Sequence, residues 1–526
     1  MMLRRVLIHK GTYRDSVELM RLNEQLRRVE GITDAAILMG STNNKARMAE
    51  LGWDAAELAS AEANDLLLGL QATSQASMDA ALSVVDDFLR GHSAVRSAGQ
   101  PRQAVAPRTL DSALRALPGA NLVSISLPGE YSAAEARKAL ERGLHVFLFS
   151  SHVPLEEERQ LKDLAAQRGL LMMGADCGTA WIHGQPLGFC SQLSPGPVGL
   201  VASSGTGAQE VASLVEQAGV GISHILGTGG RDLDTAIGGS CTRLALAALD
   251  NDPSTHVNVI VSKATAPEME AQVVEWAAAC RKPVVLCFVA HPPRQALPKG
   301  VLAAAHLAQA AQLAVALAKG GALPEALDYA HFVAAHAPEL DPIRPRFAPA
   351  QRWLRGLFSG GSLTSEAAWL AAGILPEVHG PGGGAVRPIH DFEVSRKHML
   401  LDLGDERFTL GRPHPMIDPG LRLERLLREA RDPAVAVLLL DVVLGHNAHP
   451  DPSGALAPAI AQARAEAEQE GRHLAVLAHV CGTAGDPQNL QAQCETLAQA
   501  GCLLYDTNVE ATYAAAYLVH DLAQGG

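Results

Sequence analysis

The chain has few aromatic residues and no block of basic residues. Phe, Trp and Tyr make up 4% of its 526 residues, whereas hydrophobic residues make up 48%. Its 43 Lys and Arg are outnumbered by 56 Asp and Glu, which gives a formal net charge of −13. Because binding to nucleic-acid phosphates needs clustered Lys and Arg, this composition argues against a nucleic-acid partner. The many small side chains instead favour a layered α/β protein.

The sequence also lacks paired cysteines and any long, purely apolar run. Its 8 cysteines include no C-x-x-C pair, and several lie in or beside apolar segments. Buried, reduced thiols are therefore favoured over disulfides or zinc ligands. Cys481, at the start of a polar loop, could be a reactive thiol, although a small residue in a turn is favoured. The N-terminus has no signal-peptide pattern and residues 301–318 resemble a buried helix, so a cytoplasmic protein without membrane contact is expected.

Alternating strand-like and helical segments predict several parallel-sheet domains, which are joined by right-handed crossovers. Ligands of such sheets collect at the carboxyl ends of the strands. The predicted parts are a small α/β domain over residues 1–100, a linker over 93–109, a βαβ domain over 110–193, a second series over 195–330, an irregular connector over 331–395 and a third βα series over 396–526.

The most informative loop follows a strand at residues 198–202. Its members are Ser203, Ser204, Gly205, Thr206 and Gly207, and a helix follows them. Free N–H groups and the helix dipole predict an anion site here, where glycines allow close approach and hydroxyls add donors. The alternative is an ordinary tight turn with an N-cap serine. The loop is not a Walker A motif, because no Lys-Ser or Lys-Thr pair follows the glycines.

Two further loops at strand ends could also bind an anion. Gly229, Gly230 and Arg231 follow the next strand of the same predicted sheet. Arg231 could bind a phosphate or carboxylate through two hydrogen bonds, or it could be a solvated surface residue. Gly482 and Thr483 join a later strand to a helix and form a third candidate cradle.

Polar loops of the third series contain the candidate catalytic residues. These are Arg412 and His414 in one loop and His446 in the next. His446 together with His449 and Asp451 could also be read as metal ligands. The loop offers no obvious carboxylate to orient these histidines, so a phosphate contact or plain loop structure is favoured and no metal is assigned.

Several segments resemble succinyl-CoA synthetase. Residues 196–252, with a Gly-x-Val-Gly start and a Ser-Gly-Thr turn, resemble the ligase domain of its α subunit, and residues 110–190 resemble that subunit's CoA-binding domain. Residues 397–520 resemble the ligase domain of its β subunit. The whole chain resembles the FdrA family of acyl-CoA synthetase-like proteins, most specifically at residues 402–405, 411–418 and 445–451. This resemblance implies a multidomain α/β protein with a Rossmann-like CoA-binding-type domain and two flavodoxin-like, parallel-sheet ligase-type domains.

Three features of succinyl-CoA synthetase are missing from the sequence. The residues at 290–294 are Ala-His-Pro-Pro-Arg and not the Gly-His-Ala-Gly-Ala loop that carries the phosphorylated histidine. That family has a glutamate at the end of the third strand, whereas this sequence has Ser-Lys-Ala-Thr at residues 262–265. No segment is long enough or suitably patterned for an ATP-grasp domain. A phosphohistidine relay driven by ATP is therefore not expected.

The resemblance to the FdrA family implies an enzyme subunit that transfers a carbamoyl group from carbamoyl phosphate to an amide such as oxamate, in purine (allantoin) breakdown. Companion transferase subunits and an oligomer are expected with it. No cofactor is certain, and the ligand could be CoA or carbamoyl phosphate; the CoA-type domain lacks a clear basic clamp, so weak CoA binding is expected. Two alternatives stay open: an acyl-CoA ligase subunit that forms thioesters with a separate ATP-grasp chain, and a non-catalytic assembly subunit.

Overall fold

The computed structural model describes residues 2–14, 16–53, 55–94, 107–291, 293, 295–409 and 412–522. Most of the predicted linker at residues 93–109 lies outside these residues. The chain forms two compact units. Unit 1 comprises Met1–Asn121, Ser126–Pro128 and Glu406–Asp418, and unit 2 comprises Leu122–Ile125, Gly129–Asp405 and Pro419–Gly526. The predicted α/β class with several parallel sheets is confirmed.

The helices and strands follow one another in frequent alternation. The first half of the chain forms β1 (Leu3–His9), α1 (Ser16–Arg27), β2 (Ile32–Met39), α2 (Thr42–Glu50), α3 (Ala55–Leu58), β3 (Leu66–Ala72), α4 (Gln75–Ala94), α5 (Leu110–Ala116), β4 (Leu122–Ile125), α6 (Gly129–Glu141), β5 (His145–Leu148), α7 (Leu155–Gln167), β6 (Met172–Met173), β7 (Thr179–Ile182), β8 (Gln185–Gly188), β9 (Pro195–Ala202), α8 (Gly205–Gln217), β10 (Ile222–Gly227), α9 (Ser240–Asn251) and β11 (Val257–Lys263). The second half forms α10 (Pro267–Ala278), β12 (Val284–Val289), β13 (Val301–Ala303), α11 (Leu307–Lys319), α12 (Tyr329–Leu340), β14 (Trp353–Phe358), α13 (Gly361–Ala372), β15 (Val378–His379), β16 (His398–Asp402), α14 (Glu406–Thr409), α15 (Gly420–Ala430), β17 (Val435–Val443), α16 (Pro452–Gln469), β18 (Ala475–Cys481), α17 (Leu490–Gln499), β19 (Leu503–Tyr505) and α18 (Asn508–Val519).

Unit 1 is built on a three-stranded antiparallel sheet in the order β1-β3-β2. The central strand β3 carries four leucines, pointing to both sides, because both of its faces are covered. Leu66, Leu68 and Leu70 pack in a core with α1 and α4, whereas Leu67 packs with Trp53 on the other side. This alternation follows from the two-residue period of a strand.

The CoA-type part of unit 2 is a parallel sheet in the order β4-β5-β6. Helix α6 buries Ala133, Ala136 and Ala139, which recur at helical spacing along one face. Such small side chains let the helix lie close to the sheet. This is the βαβ arrangement that the sequence predicted for this segment.

The two larger sheets of unit 2 repeat one topology. The first has the order β13-β12-β11-β9-β10, which the β7-β8 hairpin extends on one edge. The second has the order β19-β18-β17-β14-β16, with β15 at its edge. Counted from β9 and β14, both sheets run 5-4-3-1-2, and the paired strands within these five are parallel. We refer to them as the first and second ligase-type sheets.

The expected connector over residues 331–395 differs from the structure. It contains α12, α13 and the central strand β14 of the second ligase-type sheet. The strand was missed because Arg355 and Gly356 interrupt its apolar pattern. Arg355 is 2% exposed and is neutralised by Glu429 at 2.9 Å and Asp432 at 3.2 Å. The other domain limits stay predictions.

The described residues contain no helix that is long and apolar enough to cross a membrane. The apolar helices α11 and α18 are packed against the sheets.

Candidate functional site

The predicted cradle is the capped N-terminus of α8. Ser204 adopts an extended conformation, and its Oγ accepts a hydrogen bond of 3.1 Å from Gly207 N–H. Gly205 is exposed and Thr206 half-buried, and the structure shows no hydrogen bond from their N–H groups to another described residue. The N-cap interpretation is therefore correct, and it leaves two backbone donors at the positive end of the helix dipole.

A second helix N-terminus, that of α13, meets the first. The Ser204 and Ser362 hydroxyls are in hydrogen-bond contact, and Ser362 N–H approaches Thr206 Oγ1 at 3.4 Å. A Cβ on Gly360 would lie 3.0 Å from Thr206 Cγ2, so the two helix starts approach closely and a side chain at Gly360 would require a small shift of Thr206. The sequence does contain a signal for this site: Ser359-Gly-Gly-Ser362 follows β14 as Ser203-Ser-Gly-Thr206 follows β9. A search for internal repeats finds such pairs.

The N-terminus of α13 is already occupied by a carboxylate of the protein. Asp441, fully buried at the end of β17, accepts hydrogen bonds of 2.8 Å from the N–H groups of Ser359 and Gly360. Arg422 donates a further bond of 2.8 Å to the same carboxylate. The N–H groups that lead into α13 are therefore bonded to a carboxylate, whose charge would repel a second anion at this helix start.

A second carboxylate, Asp402, lies beside this helix start. A Cβ on Gly361 would be 2.5 Å from Asp402 Oδ2, and Asp402 Oδ1 accepts a 2.9 Å bond from Gly404 N–H. Burial raises the pKa of Asp402 to about 7, against the lowering effect of Lys263. The carboxyl group therefore changes charge near neutral pH.

The start of α8 has the opposite character. Ser203 Oγ donates a 2.8 Å hydrogen bond to Ser262 Oγ at the end of the neighbouring strand β11. The next residue, Lys263, is exposed and close enough to Asp402 to influence its charge. Hydroxyl groups, open N–H groups and a cation thus lie on the α8 side, and carboxylates lie on the α13 side.

Below these helix starts, buried polar side chains join the two ligase-type sheets. Glu210 of α8 and His479 of β18 form an ion pair of 2.7 Å. Glu366 of α13 accepts bonds of 2.7 Å from Leu307 N–H and 2.8 Å from Asn508 Nδ2. Burial, with the Glu210 charge, raises the pKa of Glu366 to about 7. Burial lowers the pKa of His479, but Glu210 overcomes this and raises it above its ordinary value.

The loop with Gly229, Gly230 and Arg231 is docked on α7. Arg231 donates to Glu158 Oε2 at 2.9 Å and to the Val153 carbonyl at 2.7 Å. A Cβ on Gly229 would lie 2.3 Å from the Ala175 carbonyl oxygen. The predicted anion-binding guanidinium is therefore held in an internal ion pair, and the glycine accommodates backbone rather than an open cradle.

The loop with Gly482 and Thr483 is likewise closed by internal contacts. Thr483 N–H donates to Asp486 Oδ2 at 2.7 Å, and Thr483 Oγ1 donates to the Gln192 carbonyl at 2.7 Å. Cys481 is buried, and burial raises the pKa of its thiol well above the ordinary value. The thiol is therefore protonated at neutral pH, which fits the interpretation as a small buried residue.

The three predicted catalytic residues are divided between the units. Arg412 and His414 belong to unit 1, whereas His446 belongs to unit 2. Burial lowers the pKa of His414 to about 4, and its Nδ1 accepts a 3.2 Å bond from Met416 N–H. His446 Nε2 lies 3.0 Å from Gln192 Oε1. The catalytic roles of these three residues stay a prediction.

The histidines of the 445–451 loop have structural partners. His449 Nδ1 accepts a 3.0 Å bond from Asp451 N–H, and Asp451 caps α16 by accepting from Gly454 N–H. Among the described residues, no group of three or more His, Cys, Asp and Glu side chains is arranged to hold a metal ion.

Two family models match parts of the chain. Residues 1–106 match the model described as AllF, heavy metal-associated domain, and residues 357–518 match the model described as CoA-ligase. The first cysteine of the chain is Cys177, so the N-terminal match includes no cysteine ligand. The CoA-ligase match begins within β14 and therefore includes the α13 N-terminus.

Several curated proteins are similar to the sequence, and they include two that illustrate the range. It is 39% identical over 505 residues, 95% of both chains, to the uncharacterized protein YahF of Escherichia coli (strain K12). It is 27% identical over 177 residues to the ADP-forming sulfoacetate-CoA ligase subunit SauD of Bilophila wadsworthia (strain 3_1_6), covering 32% of this chain and 58% of that protein.

Solved structures with weak similarity include PH0766 from Pyrococcus horikoshii OT3, with 13% identity, a TM-score of 0.32 and coverage of 81% of this chain and 88% of that chain. ATP citrate lyase from Methanothrix soehngenii, in complex with citrate and coenzyme A, has 12% identity, a TM-score of 0.35 and coverage of 79% and 84%. TM-scores this low do not support conclusions about the function of this chain.

Proposed function

Because the chain belongs to the FdrA-like family of acyl-CoA synthetase-like proteins, we propose that it is the acyl-transferring subunit of such an enzyme. In this proposal the N-terminus of α8 binds the phosphate of an acyl phosphate. The acyl group passes from there to an acceptor that companion subunits help to bind.

The observation that carries the proposal is the contrast between the two helix starts. At α13 the buried Asp441 carboxylate is bonded to the N–H groups of Ser359 and Gly360, which precede the helix. At α8, among the described residues, no carboxylate of the protein is bonded to the N–H groups of Gly205 and Thr206. A phosphate at α8 gains these two donors and the helix dipole. At α13 it would meet the Asp441 carboxylate instead.

The chemistry needs no covalent nucleophile of the protein. The acceptor attacks the acyl carbon, the bond between that carbon and the phosphate oxygen breaks, and inorganic phosphate leaves. Backbone N–H groups and Lys263 stabilise the negative charge that grows on the leaving oxygens. Holding donor and acceptor at the same sheet edge adds the advantage of proximity.

Two acceptors are compatible with this site. The first is the thiol of CoA, with the acyl phosphate supplied by a separate ATP-grasp chain. The CoA-ligase match and the similarity to a CoA ligase subunit support this version. The second is an amide such as oxamate with carbamoyl phosphate as the donor, which the resemblance to the FdrA family supports.

One feature of the CoA-type domain fits a ligand at its carboxyl edge. Ser150 follows β5, and its Oγ is buried without a hydrogen-bond partner among the described residues. A Cβ on Gly129, the first residue of α6, would lie 2.3 Å from the Ser151 carbonyl oxygen. This edge would hold part of CoA, which supplies the acceptor thiol when it is bound.

The test uses the full-length chain, alone and with the proteins that co-purify with it. One set of reactions contains acetyl phosphate and CoA, and thioester is measured; the other contains carbamoyl phosphate and oxamate, and oxalurate is measured. Phosphate release with thioester supports the ligase version, and release with oxalurate supports carbamoyl transfer. No product in either set, together with no binding of inorganic phosphate, would leave only the non-catalytic assembly subunit.

A further inference from the structure

Two carboxylates stand at the start of α13, and they differ in how they are held. Asp441 is fully buried and accepts bonds from Ser359, Gly360 and Arg422. Asp402 is partly exposed, and among the described residues the structure shows one hydrogen bond to its carboxylate, from Gly404 N–H. Asp441 is therefore a structural anchor, whereas Asp402 keeps an oxygen available.

The available oxygen, Asp402 Oδ2, lies at the meeting point of the two helix starts. It packs against Gly361, the first residue of α13, and the preceding Gly360 packs against Thr206 of α8. Asp402 is also the last residue of β16, so it lies at the carboxyl edge where parallel sheets bind ligands.

The charges around Asp402 favour a group that exchanges a proton. Lys263 at the end of β11 is the cation that acts on it, and Asp405 and Asp441 are the anions. Burial and the two anions keep the carboxyl group from being permanently ionised, and Lys263 keeps it from being permanently protonated. A general base is most effective when its pKa lies near the working pH.

We propose that Asp402 is the general base of acyl transfer at the α8 phosphate site. This inference rests on the proposed function. The Asp402 carboxylate takes the proton of the acceptor, a thiol S–H or an amide N–H, as the sulfur or nitrogen forms its bond to the acyl carbon. The phosphate departs with the electrons of the broken C–O bond. Asp402 then passes its proton to the departing phosphate or to water.

The two sides of the site have different roles. Gly205, Thr206 and Lys263 hold the phosphate, and Asp402 acts on the acceptor. The acceptor must therefore approach from the α13 side. Bound phosphate is an anion close to Asp402, so it raises the affinity of Asp402 for a proton.

Isothermal titration calorimetry with sulfate tests this coupling. Sulfate resembles phosphate but does not titrate near neutral pH, so any proton taken up belongs to the protein. Titrations at about pH 7.5 in buffers of different ionisation enthalpy measure that uptake. We expect the full-length wild-type chain to take up a fraction of a proton for each sulfate that binds.

The Asp402→Asn variant should bind sulfate at least as tightly and without proton uptake, because a like charge has been removed. The matched control is Glu268→Gln, which changes an exposed carboxylate in the first turn of α10 and should keep the uptake. If Asp402→Asn does not fold, Asp402→Ala takes its place. In the acyl-transfer reaction, Asp402→Asn should lower kcat by roughly 10²- to 10⁴-fold and abolish the loss of rate below about pH 7.

The outcomes separate the two claims. Sulfate binding without proton uptake, or uptake that persists in Asp402→Asn, overturns the role of Asp402 and leaves the phosphate site intact. Absence of sulfate binding overturns the phosphate site and the role of Asp402 with it. Uptake that disappears only in the Asp402 variants supports both.

Discussion

Glu210 of α8 contacts His479 of β18 through an ion pair of 2.7 Å, which links the first ligase-type sheet to the second. Glu210 is the sixth residue of α8, and Glu366 is the sixth residue of α13. Glu366 reaches in the opposite direction and accepts a hydrogen bond from Leu307 N–H at the start of α11. The repeated topology thus places two equivalent glutamates at the interface between the two ligase-type sheets. Each glutamate bonds to a residue that belongs to the other sheet or to a helix packed on it.

Loss of the Glu210–His479 pair should destabilise this interface strongly. In a His479→Ala variant the Glu210 carboxylate stays buried without its cation, which costs about 3–5 kcal/mol of the free energy of unfolding. The measurement is urea unfolding at neutral pH. The control is His331→Ala, whose histidine is exposed beside Asp328 and which should unfold like the wild type. Equal stability of both variants would show that the pair contributes nothing.

The raised pKa of Glu366 predicts a pH dependence of stability. Burial places its folded-state pKa at about 7, above the ordinary value, so the folded state keeps a proton that the unfolded state releases. Stability from this group is complete at low pH and is lost as the pH rises towards about 7. Glu366→Gln cannot release a proton, so its stability should fall less than that of the wild type between about pH 5 and pH 7.5. Parallel pH profiles of unfolding would contradict this.

A buried lysine holds the Gly227–Asp234 loop in place. Lys162 has a fully buried side chain, and its Nζ donates to Asp232 at 2.6 Å and to the Thr228 carbonyl at 2.7 Å. Burial opposes its charge, but Asp232 raises the pKa of Lys162 above the ordinary value. Lys162→Met should cost about 3–5 kcal/mol, because Asp232 stays buried and unpaired.

Hydrogen exchange of residues 227–234 provides the local measurement for this prediction. Exchange there should accelerate in Lys162→Met and stay unchanged in Lys138→Met, which removes a surface ion pair with Glu135. Unchanged exchange in both variants would mean that the loop does not depend on Lys162.

A side chain at Gly361 should displace the Asp402 carboxylate. A Cβ would lie 2.5 Å from Asp402 Oδ2, so Gly361→Ala must push the carboxylate away. Such overpacking costs about 1–3 kcal/mol. The matched control is Gly383→Ala, because a Cβ there meets nothing within 4 Å. Thermal unfolding of the two variants checks the prediction, and an unchanged Tm for Gly361→Ala would contradict the tight contact.

The sequence predicted the regular parts of this fold because their patterns are local. Continuous apolar runs such as Val284–Val289 mark strands that are covered on both faces. The turn at Ser203–Gly207 was readable because glycine and hydroxyl residues join a strand to a helix. β14 was missed because Arg355 is neutralised by Glu429, which lies 74 residues further along the chain.

The candidate site was only partly predictable for the same reason. The α8 cradle was identified, but its partner at Ser359–Ser362 was not. The strand that precedes this partner, β14, has no continuous apolar pattern and was therefore not predicted. The internal partners of Arg231 and Thr483 come from distant segments, so their side chains were read as available for ligands. Asp402 lies in the motif at residues 402–405 that the sequence analysis singled out. Its neighbours Gly361 and Lys263 are distant in the sequence, so its surroundings became visible only in the structure.

The proposed acyl transfer depends most directly on anion binding at the start of α8. The decisive measurement is the change in Tm of the full-length chain on titration with inorganic phosphate, for the wild type and for Gly205→Val. A side chain at Gly205 would crowd Thr179 Oγ1, at 3.2 Å from the Cβ, and would cover the N–H groups. We predict that phosphate raises the Tm of the wild type and has no effect on Gly205→Val. An equal increase in Tm in both proteins, or no increase in the wild type, would contradict phosphate binding at the start of α8.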